Sequence, residues 1–530
     1  MPPTNRTKRA RNVAGPLGVM LLFAVVLLIN AWVVDDAYIT FRVVDNLLNG
    51  HGLTWNVSER VQAYTHPLWM FFVTGAVAFT SEFFFTAIVL SCVLTLAALL
   101  LAWVLVTRGF REDHWRGYLL VVAILSSKAI LDYASSGLEN SLSYLIAAVF
   151  VVRVLRMDED EGASERGLTG AVLLASLAFV NRQDTLLLYV PALVYLLLST
   201  RVVSGWRRVR AVLVGTIPAT GWLLFALFYY GSPFPNTAYA KVLATGFPLS
   251  WRIERGLEYL WNSISWDTAA YVVLGFGLYF AVRRLPRAAI AIIAGVLLYM
   301  LFVVLSAASA THLSGRFFAV PLFVATVLFV KGVPSRRFGV AALVILVAYM
   351  GWSPISAIKF GTPLYRPYAQ NPSYIDAKWY VVNEGAGLLA WRPGIEMPDH
   401  DWYRYGKRIR SRPGRVHVGG AYGSEPIGYA GFAAGPGKHL VDKVGLSDPL
   451  LARLPAIQPD RIEDWKSGHF HRRIPAGYVE SLRARENRIR NPGIRRYYEV
   501  VYAATRDPIF ARARLEAVLK MNFGRDAEFP

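Results

Sequence analysis

The chain has 530 residues, 55% of them hydrophobic and only 17% charged, with a formal net charge of +20. This excludes a disordered chain, a coiled coil and a small disulfide scaffold, and the single cysteine, Cys92, permits no disulfide within the chain. The charge is no nucleic-acid signal. Residues 354–530 hold 28 Lys/Arg against 18 Asp/Glu, and the other 28 Lys/Arg belong to apolar segments and their loops, where basic residues orient a membrane protein and meet anionic lipid. The expected partner surface is the lipid bilayer, and no nucleic acid is expected.

In chain order, the first apolar run is 15–34, behind a tail bearing Arg6, Lys8, Arg9 and Arg11. It reads as an uncleaved first span with a cytoplasmic N-terminus. Asp35 and Asp36 then emerge on the far side. Tyr38, Phe41, Val44 and Leu48 follow at helical steps, which predicts a short amphipathic helix at the interface. Residues 66–80 are apolar but too short to cross, and read as interfacial or re-entrant. Further spans are expected near 83–107, 117–131, 138–155, 168–181, 184–200, 210–230, 269–282, 288–307, 317–331 and 338–353, giving about eleven. With this parity the inner side carries 20 Lys/Arg and the outer loops before residue 354 carry eight, which agrees with the positive-inside bias. The fold class is therefore a polytopic α-helical membrane protein with juxtamembrane helices. Residues 1–353 are expected to form its transmembrane domain, and 354–530 a C-terminal extracytoplasmic mixed α/β domain. No internal repeat of the transporter kind is evident.

That topology gathers the unusual polar residues on the outer side: Asp35-Asp36, His66, Ser135 to Asn140 with Glu139, Asn181 to Asp184, Gly231-Ser-Pro-Phe-Pro-Asn236 with Lys241, and Thr311-His-Leu-Ser-Gly-Arg316. Ionisable groups at membrane depth are costly, and are either paired or functional. Adjacent carboxylates repel, so a cation, a hydroxyl or a metal should hold Asp35 and Asp36 together. Glu139 and Asp184 can pair with Arg182. Beyond residue 353, Val416–Gly420 and His439–Val444 read as short strands, and 427–432, 450–454 and 475–490 as helix or turn. Gly468-His-Phe-His-Arg-Arg473 reads as a basic face. Val418-Gly-Gly-Ala-Tyr-Gly423 is too weak for a dinucleotide site, and no metal-ligand spacing, Walker loop or nucleophile elbow is present.

Taken together, Asp35-Asp36 after the first span, His66-Pro67, Ser136-Gly-Leu-Glu139, Gly231 to Asn236 with Lys241, and an exported C-terminal part resemble the GT-C superfamily. These are membrane glycosyltransferases that use polyprenyl-phosphate sugars. Val441-Asp-Lys-Val-Gly-Leu-Ser-Asp-Pro-Leu-Leu-Ala-Arg453, with Gly468-His-Phe and Ile474-Pro-Ala-Gly-Tyr478, is more narrowly similar to the mycobacterial terminal β-(1→2)-arabinofuranosyltransferases. The resemblance implies a decaprenyl-phosphate arabinofuranose donor and an arabinan acceptor of cell-wall glycan on the outer face of the plasma membrane. Asp35 is then expected as the base, with Asp36 positioning the acceptor, or the reverse. His66, Lys241 and Arg316 are expected to hold the donor phosphate. Glu139, Arg182, Asp184, Asn236, His312 and Tyr38 are expected to support the site or bind acceptor. A divalent cation (Mg, Mn or Ca) beside the carboxylates is an option. The alternatives are a relative that transfers another polyprenyl-linked sugar and, in a different class, a lipid-linked-sugar transporter or non-catalytic relative.

Overall fold

A computed structural model describes residues 5–107, 113–159, 164–199, 204–307, 315–369, 376–419, 427–459 and 468–524. Its architecture is helical almost throughout. The first helix, Asn5–Ile29, ends ahead of the acidic pair, which opens the amphipathic helix Asp35–Leu48. The short apolar helix Pro67–Thr80 follows, with proline at its first position, where a missing N–H costs nothing. The helix Phe84–Val106 is almost wholly apolar, and its exposed N–H groups are met by one carboxylate. Glu82 accepts from Phe84 N at 2.6 Å, Phe85 N at 2.8 Å and Thr86 N at 3.1 Å.

Among the described residues, four helices can cross a membrane by length and composition: Phe84–Val106, Asn140–Asp158, Arg287–Ser306 and one that begins at Arg336. Two bent pairs raise this to six if each pair is one span. Gly205–Gly215 and Ile217–Tyr230 meet at 47°, and Leu249–Trp266 and Thr268–Arg283 at 101°. Shorter apolar helices include Ala14–Ile29, His114–Leu125 and Gln183–Ser199. The expected span 117–131 is not one helix. His114–Leu125 stops, Ser127 caps a new helix by accepting from Ile130 N, and Lys128–Tyr133 runs on separately with Lys128 and Asp132 buried. A serine pair followed by charges ends the apolar pattern there. Packing is close: a Cβ on Gly295 would come within 2.0 Å of the Leu188 carbonyl oxygen, so the helices Arg287–Ser306 and Leu186–Ser199 touch at backbone level.

The segment after residue 353 shares the helices' core. Val381, Tyr429 and Leu440 belong to the same apolar cluster as Tyr38, Phe41 and Trp69. A smaller core gathers Val416, Val441, Leu450, Tyr478 and Tyr498. Among the described residues its sheet is two parallel strands, Val416–Val418 and His439–Val441, with Val416 opposite His439. Short helices, among them Tyr429–Ala434 and Tyr478–Ala484, make up much of the remainder.

Candidate functional site

The polar loops converge as their sequence positions suggest. Glu139, just ahead of the helix Asn140–Glu159, is the hub: its side chain is 1% exposed. Arg182 Nη1 donates to Glu139 Oε1 at 2.8 Å. His66 Nδ1 and Arg316 Nη2 lie 3.1 and 3.4 Å from Oε2. Arg182 also grips Asp184 with two bonds, 2.7 and 3.0 Å, and its guanidinium lies over the Phe317 ring. His66 Nε2 is 2.7 Å from Thr40 Oγ1, which ties it to the Asp35–Leu48 helix.

These groups wall one end of a cavity of about 400 Å³. Asp36, His66, Arg182, Lys241 and Arg316 face it, and Phe179, Phe234, Val242, Leu243 and Phe302 supply apolar walls. Arg316 Nη1 donates to Asp36 Oδ2 at 2.8 Å, and the Asp36 side chain is 39% exposed to the cavity. Burial raises the Asp36 carboxyl, yet the charges of Arg316, then Lys241, then His469 keep it below its usual value. Lys241 sits in a one-turn π-helix, Tyr239–Leu243. Burial lowers its ammonium against the pull of Asp36, and among the described residues no hydrogen bond or ion pair engages it.

The acidic pair divides its work. Asp35 does not line the cavity. Its carboxylate accepts from Tyr429 N at 2.7 Å and Gly428 N at 3.2 Å, at the start of the helix Tyr429–Ala434. Burial chiefly, helped by Asp36, pushes it up to about 7 against those two bonds. Gly428 is required by the close approach, since a Cβ there would lie 1.8 Å from the Asp35 backbone oxygen. Of the two carboxylates, Asp36 is the one that faces open space beside cations.

Two other expected site residues are placed elsewhere. Asn236 donates to the carbonyls of Gly445, Leu446 and Asp448 at 2.7, 3.3 and 3.0 Å and accepts from Arg453, so it clamps the C-terminal segment onto the 231–241 loop. Tyr38 is 1% exposed and packs edge-on against Phe41, Tyr429 and Phe432. Arg472, expected on a basic face, is buried and donates to the carbonyls of Val444 and Ala240. His312 and most of the Gly-rich stretch 418–423 lie outside the described residues. The sequence reading missed Thr40, Phe317 and Leu446, which carry no signal of their own and reach the site by packing.

The carboxylates of the site are each engaged by protein groups. Asp35 is spent on backbone N–H groups, Glu139 and Asp184 on Arg182, and Asp36 on Arg316. No cluster of three His, Cys, Asp or Glu side chains placed to hold a metal occurs among the described residues.

No protein-family model matches the chain. It is 31% identical over 226 residues to the terminal β-(1→2)-arabinofuranosyltransferase of Mycobacterium tuberculosis, a stretch covering 40% of this chain and 35% of that protein. Over 231 residues it is 30% identical to the Corynebacterium glutamicum protein of the same name, covering 40% and 33%. The match thus spans about a third of each relative's length. In fold the chain resembles ArnT from Cupriavidus metallidurans, solved bound to undecaprenyl phosphate, with a TM-score of 0.51 and 15% identity over 85% of this chain and 90% of that one. By sequence the chain is similar to terminal arabinofuranosyltransferases, and by fold to ArnT, a GT-C membrane glycosyltransferase.

Proposed function

We propose that the chain is a membrane glycosyltransferase that moves arabinofuranose from a decaprenyl-phosphate donor to a hydroxyl of cell-wall arabinan at the outer face of the plasma membrane. The observation that carries this reading is one cavity holding an ionised carboxylate, Asp36, against Arg316, with Lys241 unengaged and apolar walls beside them. Such a cavity suits a ligand that is anionic at one end and greasy at the other. The names of the sequence relatives supply the sugar, and the lipid phosphate bound to ArnT supports the donor class. About eleven spans, and an extracytoplasmic C-terminal part from residue 354, belong to the same proposal.

In the proposed reaction the acceptor oxygen forms a bond to the anomeric carbon while the bond from that carbon to the phosphate oxygen breaks. The acceptor proton passes to Asp36, and the electron pair of the broken bond leaves on the polyprenyl phosphate. Negative charge grows on that phosphate, so Lys241, Arg316 and Arg182 bind the transition state more tightly than the donor. Arg316 links the two halves. Drawn toward phosphate, it loosens from Asp36, and the carboxylate becomes a stronger base once the donor is seated. Membranes carrying the chain should lengthen a synthetic arabinan acceptor from labelled decaprenyl-phosphate arabinose and release lipid phosphate. If lipid-linked sugar crosses the bilayer while the acceptor stays unextended, the chain is a transporter and this reading fails.

A further inference from the structure

A second concavity of about 830 Å³ lies in the C-terminal segment, lined by Arg415, Arg483, Arg485 and Arg506 with His417 and His439 and, among the described residues, by no acidic side chain. Of these arginines, among the described residues, Arg506 alone is matched by an acid: it donates to the buried Glu59 at 2.7 Å. Arg415, Arg483 and Arg485 are exposed, and no hydrogen bond or ion pair among the described residues engages their side chains. Three like charges around one hollow repel one another unless an anion sits between them. Arg485 takes a left-handed backbone, φ 56°, at the end of the helix Tyr478–Ala484. A residue with a Cβ is strained there, and such strain gathers at ligand clamps.

We propose that this groove binds an anionic glycan chain, with Arg415, Arg483 and Arg485 gripping its phosphate or carboxylate groups. Guanidinium forks match both anions. The concavity favours a strand over the flat surface of a bilayer. Tyr502 on the wall offers a face for a sugar ring. The grip holds whether or not the other cavity transfers a sugar, so binding tests it separately from catalysis.

The full chain in phosphatidylcholine nanodiscs should bind fluorescein-labelled dextran phosphate, and neutral dextran should not compete. The exposed triple variant R415A/R483A/R485A should bind about tenfold more weakly, and the single variant Arg483→Gln measurably less so. R404A/R488A/R512A removes the same charge from arginines paired elsewhere on the surface and should stay within about twofold of wild type at matched salt. Equal losses in the two triple variants would reduce the effect to net charge and overturn the site. So would inorganic phosphate binding as tightly as the polymer, which marks a small-anion pocket. Arginine-dependent capture of phosphatidylglycerol vesicles without capture of dextran phosphate would make this a membrane-docking face instead.

Discussion

Two buried charge networks lie close to one another in this fold, and only one opens onto space. In the closed one, Lys128 is held by Asp132 and, at 3.1 Å, by Asp376, while Lys378 reaches Asp132 at 2.8 Å and Asn30 at 3.0 Å. Tyr365 donates to Asp376, and all four charged side chains are at most 4% exposed. Two ammonium groups meet two carboxylates, and nothing is left over. In the open one, Glu139 and Asp184 are consumed by arginine, but Asp36 looks into a cavity and Lys241 has no anion of its own. Burial of charge is therefore not the mark of chemistry here. An unengaged cation and a carboxylate at the edge of a void are.

The contrast can be broken by substitution. Asp36→Asn should abolish acceptor elongation, with a loss of about 100- to 10,000-fold as for a missing general base, while the protein stays folded in the membrane. Near-normal turnover by single-turnover assay would move the base elsewhere. Asp132→Ala should do the opposite. It leaves two buried ammonium groups, Lys128 and Lys378, sharing the single carboxylate of Asp376, which costs about 3–5 kcal/mol, and a thermal-shift scan in detergent should show a large drop or no folded protein. Lys241→Ala should leave folding intact and weaken donor use about tenfold, the scale of one charge-assisted hydrogen bond, read as a rise in KM for the lipid donor. At Asp35 the expected effect is on pH dependence. Its folded-state carboxyl is raised from 3.8 to about 7, so the folded protein binds the extra proton between those values. The contribution of Asp35 to stability should be fullest below pH 4 and be lost as pH rises through 7. Asp35→Asn should flatten that slope in a melting-temperature series, and an unchanged slope would assign it to other groups.

How far the sequence spoke differs between these residues. The convergence of His66, Glu139, Arg182, Lys241 and Arg316 was legible, because polar residues in apolar surroundings stand out and topology puts them on one side. Which aspartate faces the cavity was not. Neighbours on a helix point about 100° apart, and the choice is made by backbone N–H groups 393 and 394 positions away. Asn236 and Tyr38 have the right chemistry for a site, but carbonyls and rings claim them first. The broken helix at Ser126-Ser127 had a readable cause, since the serines and Lys128 interrupt the apolar run. The groove around Arg485 had none, because its arginines come from segments about seventy residues apart and stand among many others.

The clamp at Asn236 has one more consequence. Its amide fastens three carbonyls of the C-terminal segment, and Arg472 fastens the carbonyl of Ala240 beside it, so that segment is tied to the loop carrying Lys241. Under the proposed function, the donor's tail would lie along the apolar wall of Phe179, Leu243 and Phe302.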